Sequence, residues 1–514
     1  MESNLSLDIR ALDRARISRD PRFDGKFFIA VKTTGIYCRP ICPSRTSKSW
    51  NVRYYATAAA AAEAGFRPCL RCRPEAAPGT PAWLGTSAVV RRALRLIDEG
   101  ILDNASVDDL ANKLGLGSRH LRRLFLQHVG ASPISLAQIR RLQFAKRLLD
   151  ETNLPITEIA LAAGFGSLRR FNTAFRQTYG RAPREPRKHL RSDTASEAGG
   201  EVILKLAFRP PYDWNEVRDF LAAHAIAGVE RVDEHGYSRT LRGDNGGSII
   251  CVRPLEDEDA LELRVRGAVP AALFQIASAA RRVFDTSADP ARTTLAFRSD
   301  PLLGPFVMRS PGLRIPGAWD PFECTVCAVL RQNVGIASVP TVAARIVDCA
   351  GQRINRPGAD LTSLFPTPTA LARADLNGLG LPKTGVTALQ QLARAVIQGK
   401  LDFGAPTECV LAALSKLQGI GPSTAEYVAL RALGEPDAFP ATDSVLRHIA
   451  AGIAHRPLSA LELEARAEAW RPWRGYAALH LWSAAANPIG WNARGEIQGS
   501  MGRKRASKTR GAKE

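Results

Sequence analysis

Residues 417–443 read LQGIGPSTAEYVALRALGEPDAFPATD. A Gly-Ile-Gly turn, Gly419 to Gly421, separates two apolar segments with helical character, and one carboxylate, Asp443, ends the stretch. Glycine at 419 and 421 lets the backbone turn tightly, so that amides at the start of the next helix can point at an anion such as a DNA phosphate. A lone GxG also occurs in ordinary turns between two packed helices.

The residues around the turn favour the DNA-binding interpretation. Ser423 and Thr424 open the second helix, and the segment FPATD brings an acid to its far end. The whole pattern resembles the helix-hairpin-helix plus Gly/Pro/Asp motif of DNA glycosylases. This resemblance implies that Gly419, Gly421, Ser423 and Thr424 contact DNA and that Asp443 is the catalytic carboxylate.

Length and charge indicate several domains and a polyanionic partner. A chain of 514 residues is too long for one hydrophobic core, and about three or four domains are expected. The net charge is +20 and is uneven: residues 1–200 hold 33 Lys and Arg against 18 Asp and Glu, whereas residues 201–501 hold 31 of each. Residues 1–200, the front half, and the basic tail at residues 493–514 are therefore the parts expected to bind DNA.

No segment at the N-terminus has the apolar core of a signal peptide, and no run of about eighteen apolar residues occurs that could span a bilayer. We therefore expect a cytoplasmic protein of bacterial type, associated with the nucleoid and not with a membrane. The nine cysteines, four of them grouped, favour a metal site in a reducing compartment over disulfides.

The four grouped cysteines form two knuckles with the spacing of a zinc site. Cys38 and Cys42 make a Cx3C pair, and Cys69 and Cys72 make a Cx2C pair further along the chain. Each short turn can supply two thiolates, and the two turns together can close a tetrahedral shell around one Zn²⁺. On spacing alone, a purely structural zinc remains open beside a reactive one.

The surrounding residues carry a second resemblance. The stretch RDPRFDGKFFIAVKTTGIYCRPICPSR, with AGFRPCLRCRP downstream, resembles the N-terminal domain of the Ada family of DNA-repair regulators across most of residues 10–75. The resemblance implies that Cys38 is both a zinc ligand and the acceptor of a methyl group from a DNA methylphosphotriester. Methylation would take the cluster from about −2 to about −1 and raise its affinity for DNA. The arginines expected to hold the DNA backbone nearby are Arg39, Arg45, Arg67 and Arg71.

An internal repeat lies in residues 88–190. The segment VDDLANKLGLGS at 107–118 matches ITEIALAAGFGS at 156–167, and a helix around 133–150 is expected to join the two copies. Each copy reads as a helix-turn-helix with an arginine-rich second helix. The tandem arrangement resembles the AraC-type transcription regulators, and protein-binding hairpins are the alternative. The candidate DNA-reading residues are Arg119, Arg122 and Arg123 in the first copy and Arg169 and Arg170 in the second.

The rear half carries a third resemblance. The stretches EVILKLAFRP, SIICVRPL and LELRVRG read as strands of a small α/β region, and the chain is expected to be helical from about 300. The segments PPYDWNEVRDFLAAHAIAGVE and RPWRGYAALHLW resemble the AlkA family of alkyladenine glycosylases. The resemblance implies a base pocket walled by Phe220, Tyr427 and Trp482.

Several positions depart from the family pattern. Ser423 stands where strand-cleaving relatives have lysine, which predicts a monofunctional, hydrolytic enzyme. Ser423 and Ser444 also stand where the AlkA family has aromatic residues, and the residue expected to fill the vacated base stack is Asn333. No cysteine follows Cys409, so no iron-sulfur cluster is expected. The lone CxxC of Cys324 and Cys327 is interpreted as buried packing.

These observations predict a multidomain, mainly α protein, with a small α+β zinc domain and a small α/β domain preceding an all-α helix-hairpin-helix glycosylase domain. The expected bounds are 10–80 for the zinc domain, 86–190 for the tandem helix-turn-helix, 191–201 for a linker, 202–290 for the α/β domain, 300–492 for the glycosylase domain and 493–514 for a disordered tail.

The predicted function couples removal of alkylated purines of the 3-methyladenine type with a methyl-switched transcription activator. Its partners are double-stranded DNA and, as the activator's target, RNA polymerase, and its one metal ion is Zn²⁺. Two alternatives remain open. In one, the chain is a transcription regulator whose glycosylase fold is inactive and only grips DNA. In the other, it is a glycosylase whose front half only anchors it to DNA.

Overall fold

The computed structural model of the chain describes residues 9–74, 77, 88–185, 201–243, 247–354, 360–454 and 456–486. The predicted linker, apart from its last residue, and the predicted disordered tail lie outside these residues. Among the described helices, none is long and apolar enough to cross a bilayer.

The cysteine region, residues 9–77, is built on a four-stranded sheet. Its elements are α1 (Ile9–Ser18), β1 (Phe28–Val31), β2 (Ile36–Cys38), β3 (Val52–Tyr55), α2 (Ala58–Glu63) and β4 (Arg67–Pro68). The strand order is β3-β1-β2-β4, with β1 antiparallel to both of its neighbours and β4 parallel to β2. Parallel pairing of β2 with β4 matters for function, because each strand leads directly into one cysteine pair.

The tandem-helix region, residues 88–185, contains seven helices. They are α3 (Ala88–Asp98), α4 (Ile101–Asn104), α5 (Val107–Lys113), α6 (Ser118–His128), α7 (Pro133–Glu151), α8 (Ile156–Ala162) and α9 (Leu168–Tyr179). Ser106 and Asp109 form a capping box that starts α5, and Ser167 caps α9. The predicted repeat and its joining helix are confirmed, since α5–α6 and α8–α9 are matching pairs on either side of α7.

The sheet region, residues 201–283, holds a five-stranded antiparallel sheet with two helices. Its elements are β5 (Glu201–Ala207), α10 (Trp214–His224), β6 (Glu230–Asp233), β7 (Gly236–Leu241), β8 (Ser248–Pro254), β9 (Ala260–Arg266) and α11 (Leu273–Val283). The strand order is β5-β9-β8-β7-β6. Strands β5, β8 and β9 match the predicted ones, whereas β6 and β7 were not predicted.

The helical region, residues 290–486, is a bundle with one short hairpin of strands. Its elements are α12 (Pro290–Phe297), α13 (Gly304–Arg309), α14 (Pro321–Val334), α15 (Val339–Ala350), β10 (Gln352–Arg353), β11 (Ser363–Leu364), α16 (Pro368–Arg373), α17 (Lys383–Ile397), α18 (Thr407–Ser415), α19 (Pro422–Arg431), α20 (Ser444–Ala454), α21 (Ala460–Ala467) and α22 (Arg474–Ala486). Helix α14 lies at its centre, with Val326, Val329 and Leu330 fully buried. The predicted mainly helical, multidomain architecture is confirmed.

Candidate active site and metal centre

Helices α18 and α19 form the hairpin expected from the Gly-Ile-Gly turn. Gly419 has a φ of +81°, a left-handed conformation that glycine adopts without strain. Gly421 is the N-cap of α19, and its backbone N–H donates to Oε1 of Gln332 at 3.1 Å. The hydroxyl of Thr424 donates to the same oxygen at 2.7 Å. Gln332, near the end of α14, therefore fixes the hairpin to the centre of the helical region.

The structure differs from the sequence prediction at two of the four hairpin residues. Gly419 is exposed and Ser423 is half-buried, so both remain open to a ligand. Thr424 is buried, and the amide of Gly421 is bonded to Gln332 instead of pointing outward at an anion. The reason is that Gln332 reaches the turn from another helix, a long-range contact that the local motif does not encode.

Asp443 lies at the N-terminus of α20 and receives hydrogen bonds from several directions. Its Oδ1 accepts from the backbone N–H groups of Val445 and Leu446, each at 3.0 Å, and from Nε1 of Trp482 at 3.2 Å. Its Oδ2 accepts from Nη2 of Arg331 at 3.0 Å. The side chain is 11% exposed. These donors hold the carboxylate in one orientation.

Two of the three aromatic residues predicted for the base pocket, Tyr427 and Trp482, come together beside Asp443. Tyr427 and Trp482 meet edge to face, with ring centroids 6.0 Å apart. Phe220 lies on α10 of the sheet region and stacks on His224 at 4.2 Å. The pocket therefore lies where the sheet region packs against the helical region.

Two arginines that were not predicted lie among these aromatic rings. The guanidinium of Arg331 is 5.0 Å from the ring centroid of Tyr427 and 5.7 Å from that of Trp482. The guanidinium of Arg431 is 4.6 Å from the ring of Phe220 and donates to the hydroxyl of Tyr427 at 2.7 Å. Arg431 follows Tyr427 by four positions on one helix, so helical spacing could have indicated it. Arg331 carries no such local signal.

A cavity of about 70 Å³ lies beside the two arginines and is lined by His224, Arg331, Tyr427 and Arg431, among others. Burial, together with the positive charges of Arg431 and Arg331, lowers the pKa of His224 to about 4. The imidazole is therefore neutral at pH 7.

Asn333, the residue expected to fill the vacated base stack, lies near the end of α14. Its Nδ2 donates to the backbone carbonyl of Val329 at 2.8 Å, so the amide is folded back on its own helix. A Cβ added to Gly385 would lie 3.2 Å from the side chain of Asn333, which places it against α17. Insertion into DNA would require this side chain to change rotamer. Its role as the stacking residue stays a prediction.

The four cysteines of the N-terminal region converge. The sulfur atoms of Cys38, Cys42, Cys69 and Cys72 all lie within 4.8 Å of one another. A tetrahedral Zn²⁺ with Zn–S bonds of about 2.3 Å needs sulfurs about 3.8 Å apart, so the quartet fits one ion. Strand β2 ends at Cys38, and the amide of Cys69, just after β4, donates to the carbonyl of the neighbouring β2 residue Tyr37 at 2.9 Å. Parallel pairing of the two strands thus aligns the two knuckles.

The four thiols differ in access and in hydrogen bonding. Cys69 and Cys72 are buried, whereas Cys38 and Cys42 are half-buried. The backbone N–H of Arg39 donates to Sγ of Cys72 at 3.3 Å, and Ser44 hydrogen-bonds Cys42. A hydrogen bond to a thiolate withdraws electron density from it, so the bonds to Cys42 and Cys72 lower the nucleophilicity of those two sulfurs.

Arg39 differs from the role that the sequence suggested. Its guanidinium pairs with both carboxylate oxygens of Asp24 and donates to the carbonyl of Cys72 at 3.2 Å. With its side chain 13% exposed, Arg39 braces the knuckles and does not project toward solvent. The other predicted arginines near the quartet, Arg45, Arg67 and Arg71, are exposed.

The second helix of each helix-turn-helix pair, α6 and α9, projects its predicted arginines from the surface. Leu121 and Phe125 of α6, and Phe171 and Phe175 of α9, are buried in the region's cores. The opposite faces leave Arg119, Arg122, Arg123, Arg169 and Arg170 exposed. This amphipathic division leaves both helices free to enter a groove of DNA.

Comparison with known proteins agrees with this arrangement. Family models described as the metal binding domain of Ada, a helix-turn-helix domain and the AlkA N-terminal domain match residues 11–75, 110–189 and 203–320. A solved structure titled 3-methyladenine DNA-glycosylase from Archaeoglobus fulgidus covers 55% of this chain and 99% of its own, with a TM-score of 0.50 and 19% identity. That likeness shows a shared fold.

Two curated relatives extend the match over the chain. The DNA-3-methyladenine glycosylase 2 of Escherichia coli (strain K12) is 32% identical over 54% of this chain and 96% of its own length. The probable bifunctional transcriptional activator/DNA repair enzyme AlkA of Mycobacterium tuberculosis (strain CDC 1551 / Oshkosh) is 40% identical over 94% of this chain and 97% of its own length. The chain therefore belongs to the family of bifunctional transcriptional activators and DNA repair enzymes in which an Ada-type metal-binding and helix-turn-helix half is joined to an AlkA-type glycosylase half.

Proposed function

We propose that the chain removes alkylated purines from DNA by hydrolysis and accepts methyl groups from DNA methylphosphotriesters on Cys38. The observation that carries the first activity is the placement of Asp443 beside Tyr427 and Trp482, immediately behind the α18–α19 hairpin. A carboxylate and aromatic walls at one pocket are what excision of a flipped base requires.

The glycosylase step uses the carboxylate at the sugar. With the nucleotide rotated out of the duplex, the bond between C1′ and the base nitrogen breaks, and the electron pair leaves with the base. Asp443 stabilises the positive charge that develops at C1′ and orients water, which adds at C1′ and gives up a proton. Residue 423 is serine, which offers no amine for a covalent sugar intermediate. The strand therefore stays uncut, as for a monofunctional enzyme.

The methyl-transfer step uses Cys38, one of the two half-buried cysteines of the quartet. The Cys38 thiolate attacks the methyl carbon, a bond forms between sulfur and carbon, and the bond between carbon and the phosphotriester oxygen breaks. The phosphodiester anion is the leaving group. A bound Zn²⁺ would keep the thiolates deprotonated, and Cys42, Cys69 and Cys72 would complete its shell. Because the thioether has no route back, each molecule acts once.

Methylation removes about one negative charge from the cluster and so weakens its repulsion from DNA. We infer that this charge change drives the tandem helix-turn-helix onto promoters, where RNA polymerase is the activator's target. The chain would bind a single zinc ion and no iron-sulfur cluster, and it would act at the nucleoid in the cytoplasm. Its domains would have the bounds that are expected from the sequence.

A second candidate function is a transcription regulator whose glycosylase fold only grips DNA. The observation that favours it is the Arg331–Asp443 ion pair, which neutralises the carboxylate.

Base release decides between the two functions. Duplex DNA treated with a methylating agent is incubated with wild type and with Asp443→Asn, and free purine is measured by chromatography. The proposal predicts release by wild type and about a hundredfold to a thousandfold less by the variant. Absence of release by wild type would support the DNA-gripping regulator.

A further inference from the structure

The base pocket contains a fixed positive charge where a flipped base is to stack. Arg331 lies over the ring of Tyr427 at 5.0 Å and over that of Trp482 at 5.7 Å, and its Nη2 is 3.0 Å from Oδ2 of Asp443. Its side chain is 20% exposed, so solvent screens the charge only in part. A base that stacks on either ring face meets the guanidinium directly.

A second guanidinium is fixed beside Tyr427. Arg431 donates to the carbonyls of Pro316 and Gly317 at 2.7 and 3.2 Å and to the hydroxyl of Tyr427 at 2.7 Å. With three hydrogen bonds to separate groups, Arg431 cannot leave the pocket without large losses.

The remaining titratable groups around the pocket add no net positive charge to that of the two arginines. Asp443 supplies one negative charge. Glu230 and Glu323 both pair with the buried Arg239, at 3.2 and 2.9 Å. Burial and the two arginines keep His224 neutral, since its pKa is about 4. The thiols Cys324 and Cys327 also have pKa values raised by burial, so they too are neutral. The three arginines and the three carboxylates around the site balance, so the charge that lies against the rings of Tyr427 and Trp482 is the guanidinium of Arg331 itself.

This charge acts differently on the two kinds of alkylated purine. Alkylation at N3 or N7 leaves a purine with a positive charge, which a guanidinium at about 5 Å repels and which would compete with Arg331 for the same ring faces. Exocyclic alkylation, as in 1,N6-ethenoadenine, leaves the purine uncharged and adds no repulsion. The guanidinium has four further N–H groups that can donate to ring nitrogens or carbonyl oxygens of a neutral base.

From this geometry we propose that Arg331 is a specificity-determining residue that shifts excision away from cationic N3- and N7-alkylpurines and toward neutral alkylated bases with hydrogen-bond acceptors. The inference rests on the proposed glycosylase function and names the substrate class of that same site.

The test measures excision of 7-methylguanine and of 1,N6-ethenoadenine from matched duplexes under single-turnover conditions. Each rate is divided by the spontaneous rate, because the cationic base leaves more readily on its own. The variants are Arg331→Gln, which removes the charge, and Arg331→Lys, which keeps it. Arg231→Gln is the matched control, since Arg231 is an exposed arginine on β6 paired with Asp233 and Asp360.

We expect Arg331→Gln to raise the ratio of 7-methylguanine to ethenoadenine excision by at least about tenfold. Arg331→Lys and Arg231→Gln should stay within about twofold of wild type. An unchanged ratio in Arg331→Gln, or an equal loss on both substrates, would overturn the specificity role. Absence of release from both substrates by wild type would instead refute the glycosylase function itself. If Arg331→Gln fails to fold, the ratio of 7-methylguanine to ethenoadenine excision by Arg331→Lys still tests the role of charge. A ratio equal to that of wild type supports this role, and a ratio raised tenfold contradicts it.

Discussion

At the scale of single residues, Asp443 caps a helix and is also the residue that we propose for the chemistry. Its Oδ1 caps α20 through Val445 and Leu446, while the carboxylate as a whole faces the aromatic pocket. Capping needs only a side-chain oxygen, which asparagine also offers, whereas stabilising a cation needs the negative charge. The two roles can therefore be separated by substitution.

Replacing Asp443 by alanine should cost stability as well as activity. Asp443→Ala loses the helix cap, and we expect its free energy of unfolding to fall by about 1 kcal/mol, whereas Asp443→Asn keeps the cap and stays within about 0.5 kcal/mol of wild type. Urea titrations followed by tryptophan fluorescence measure the difference. Equal stability of the two variants would show that the cap contributes nothing.

The buried imidazole of His480 should make the free energy of unfolding depend on pH. It is buried on α22, and burial lowers its pKa to about 4. The unfolded chain takes up a proton near pH 6.5 while the folded chain does not, so the contribution to stability is complete above that pH and is lost as the pH falls toward 4. Between pH 7.5 and pH 5 this residue alone should cost about 2 kcal/mol.

The measurement compares urea unfolding of wild type with that of His480→Gln at pH 7.5 and at pH 5, using the tryptophans of the helical region. The variant should lose about 2 kcal/mol less than wild type over this interval. His235→Gln, at an exposed position, serves as the control and should behave as wild type. If His480→Gln and wild type lost the same stability, the buried imidazole would not be the cause.

Sequence reasoning at this scale singled out Asp443 but missed Arg331. The acid ends a local motif, so its neighbours in the sequence identify it. The arginine that pairs with it is 112 positions away along the chain, and only the packing of α14 against α19 and α22 brings it to the pocket. Side chains whose partners come from another helix leave no periodic signal.

At the scale of elements, the hairpin depends on a residue outside it. Gln332 accepts from the amide of Gly421 and the hydroxyl of Thr424. Gln332→Ala leaves both donors without this acceptor, so we expect a loss of about 1–2 kcal/mol of stability and weaker binding to duplex DNA. Fluorescence anisotropy with a labelled duplex measures the binding. Gln398→Ala, at the exposed end of α17, is the control, and equal behaviour of the two variants would contradict the role of Gln332.

We expect helices α6 and α9 to make a salt-dependent contribution to DNA binding. Each exposed arginine that contacts a phosphate should contribute about one unit to the slope of log affinity against log salt concentration. Arg122→Ala and Arg170→Ala should therefore weaken binding severalfold and flatten that slope. Arg266→Ala, at an exposed position on β9, should leave both unchanged. Equal slopes for all four proteins would exclude these two helices from the DNA interface.

The sequence identified helices more completely than strands. The repeated helix-turn-helix units could be aligned with each other, and strands β5, β8 and β9 carry apolar runs. Strands β6 and β7 were missed because their residues are largely polar. Ser238, Arg239 and Thr240 are nonetheless buried in β7, because Arg239 pairs with Glu230 and Glu323 and Thr240 bonds to the carbonyl of Ser363. Hydrophobic alternation does not detect a strand whose buried side chains are polar.

At the scale of the whole molecule, the cysteine region contacts the tandem-helix region and the segment just before the helical region. Arg73 pairs with Asp150 and Glu151 of α7, at 3.1 and 3.3 Å. Lys26 pairs with Asp289, close to the helical region, at 3.0 Å. Sequence composition predicted separate domains and their order, but it could not predict these contacts, because each joins residues far apart along the chain.

The central claim is that one chain carries two chemically separate repair reactions, one at the Cys38 thiolate and one at the Asp443 carboxylate. DNA carrying radiolabelled methyl groups, incubated with wild type, Cys38→Ala and Asp443→Asn, tests it in one experiment, with label counted as free base and as protein-bound methyl. Each variant should lose one product and keep the other within about twofold of wild type. Survival of protein-bound label in Cys38→Ala, or of base release in Asp443→Asn, would contradict the claim.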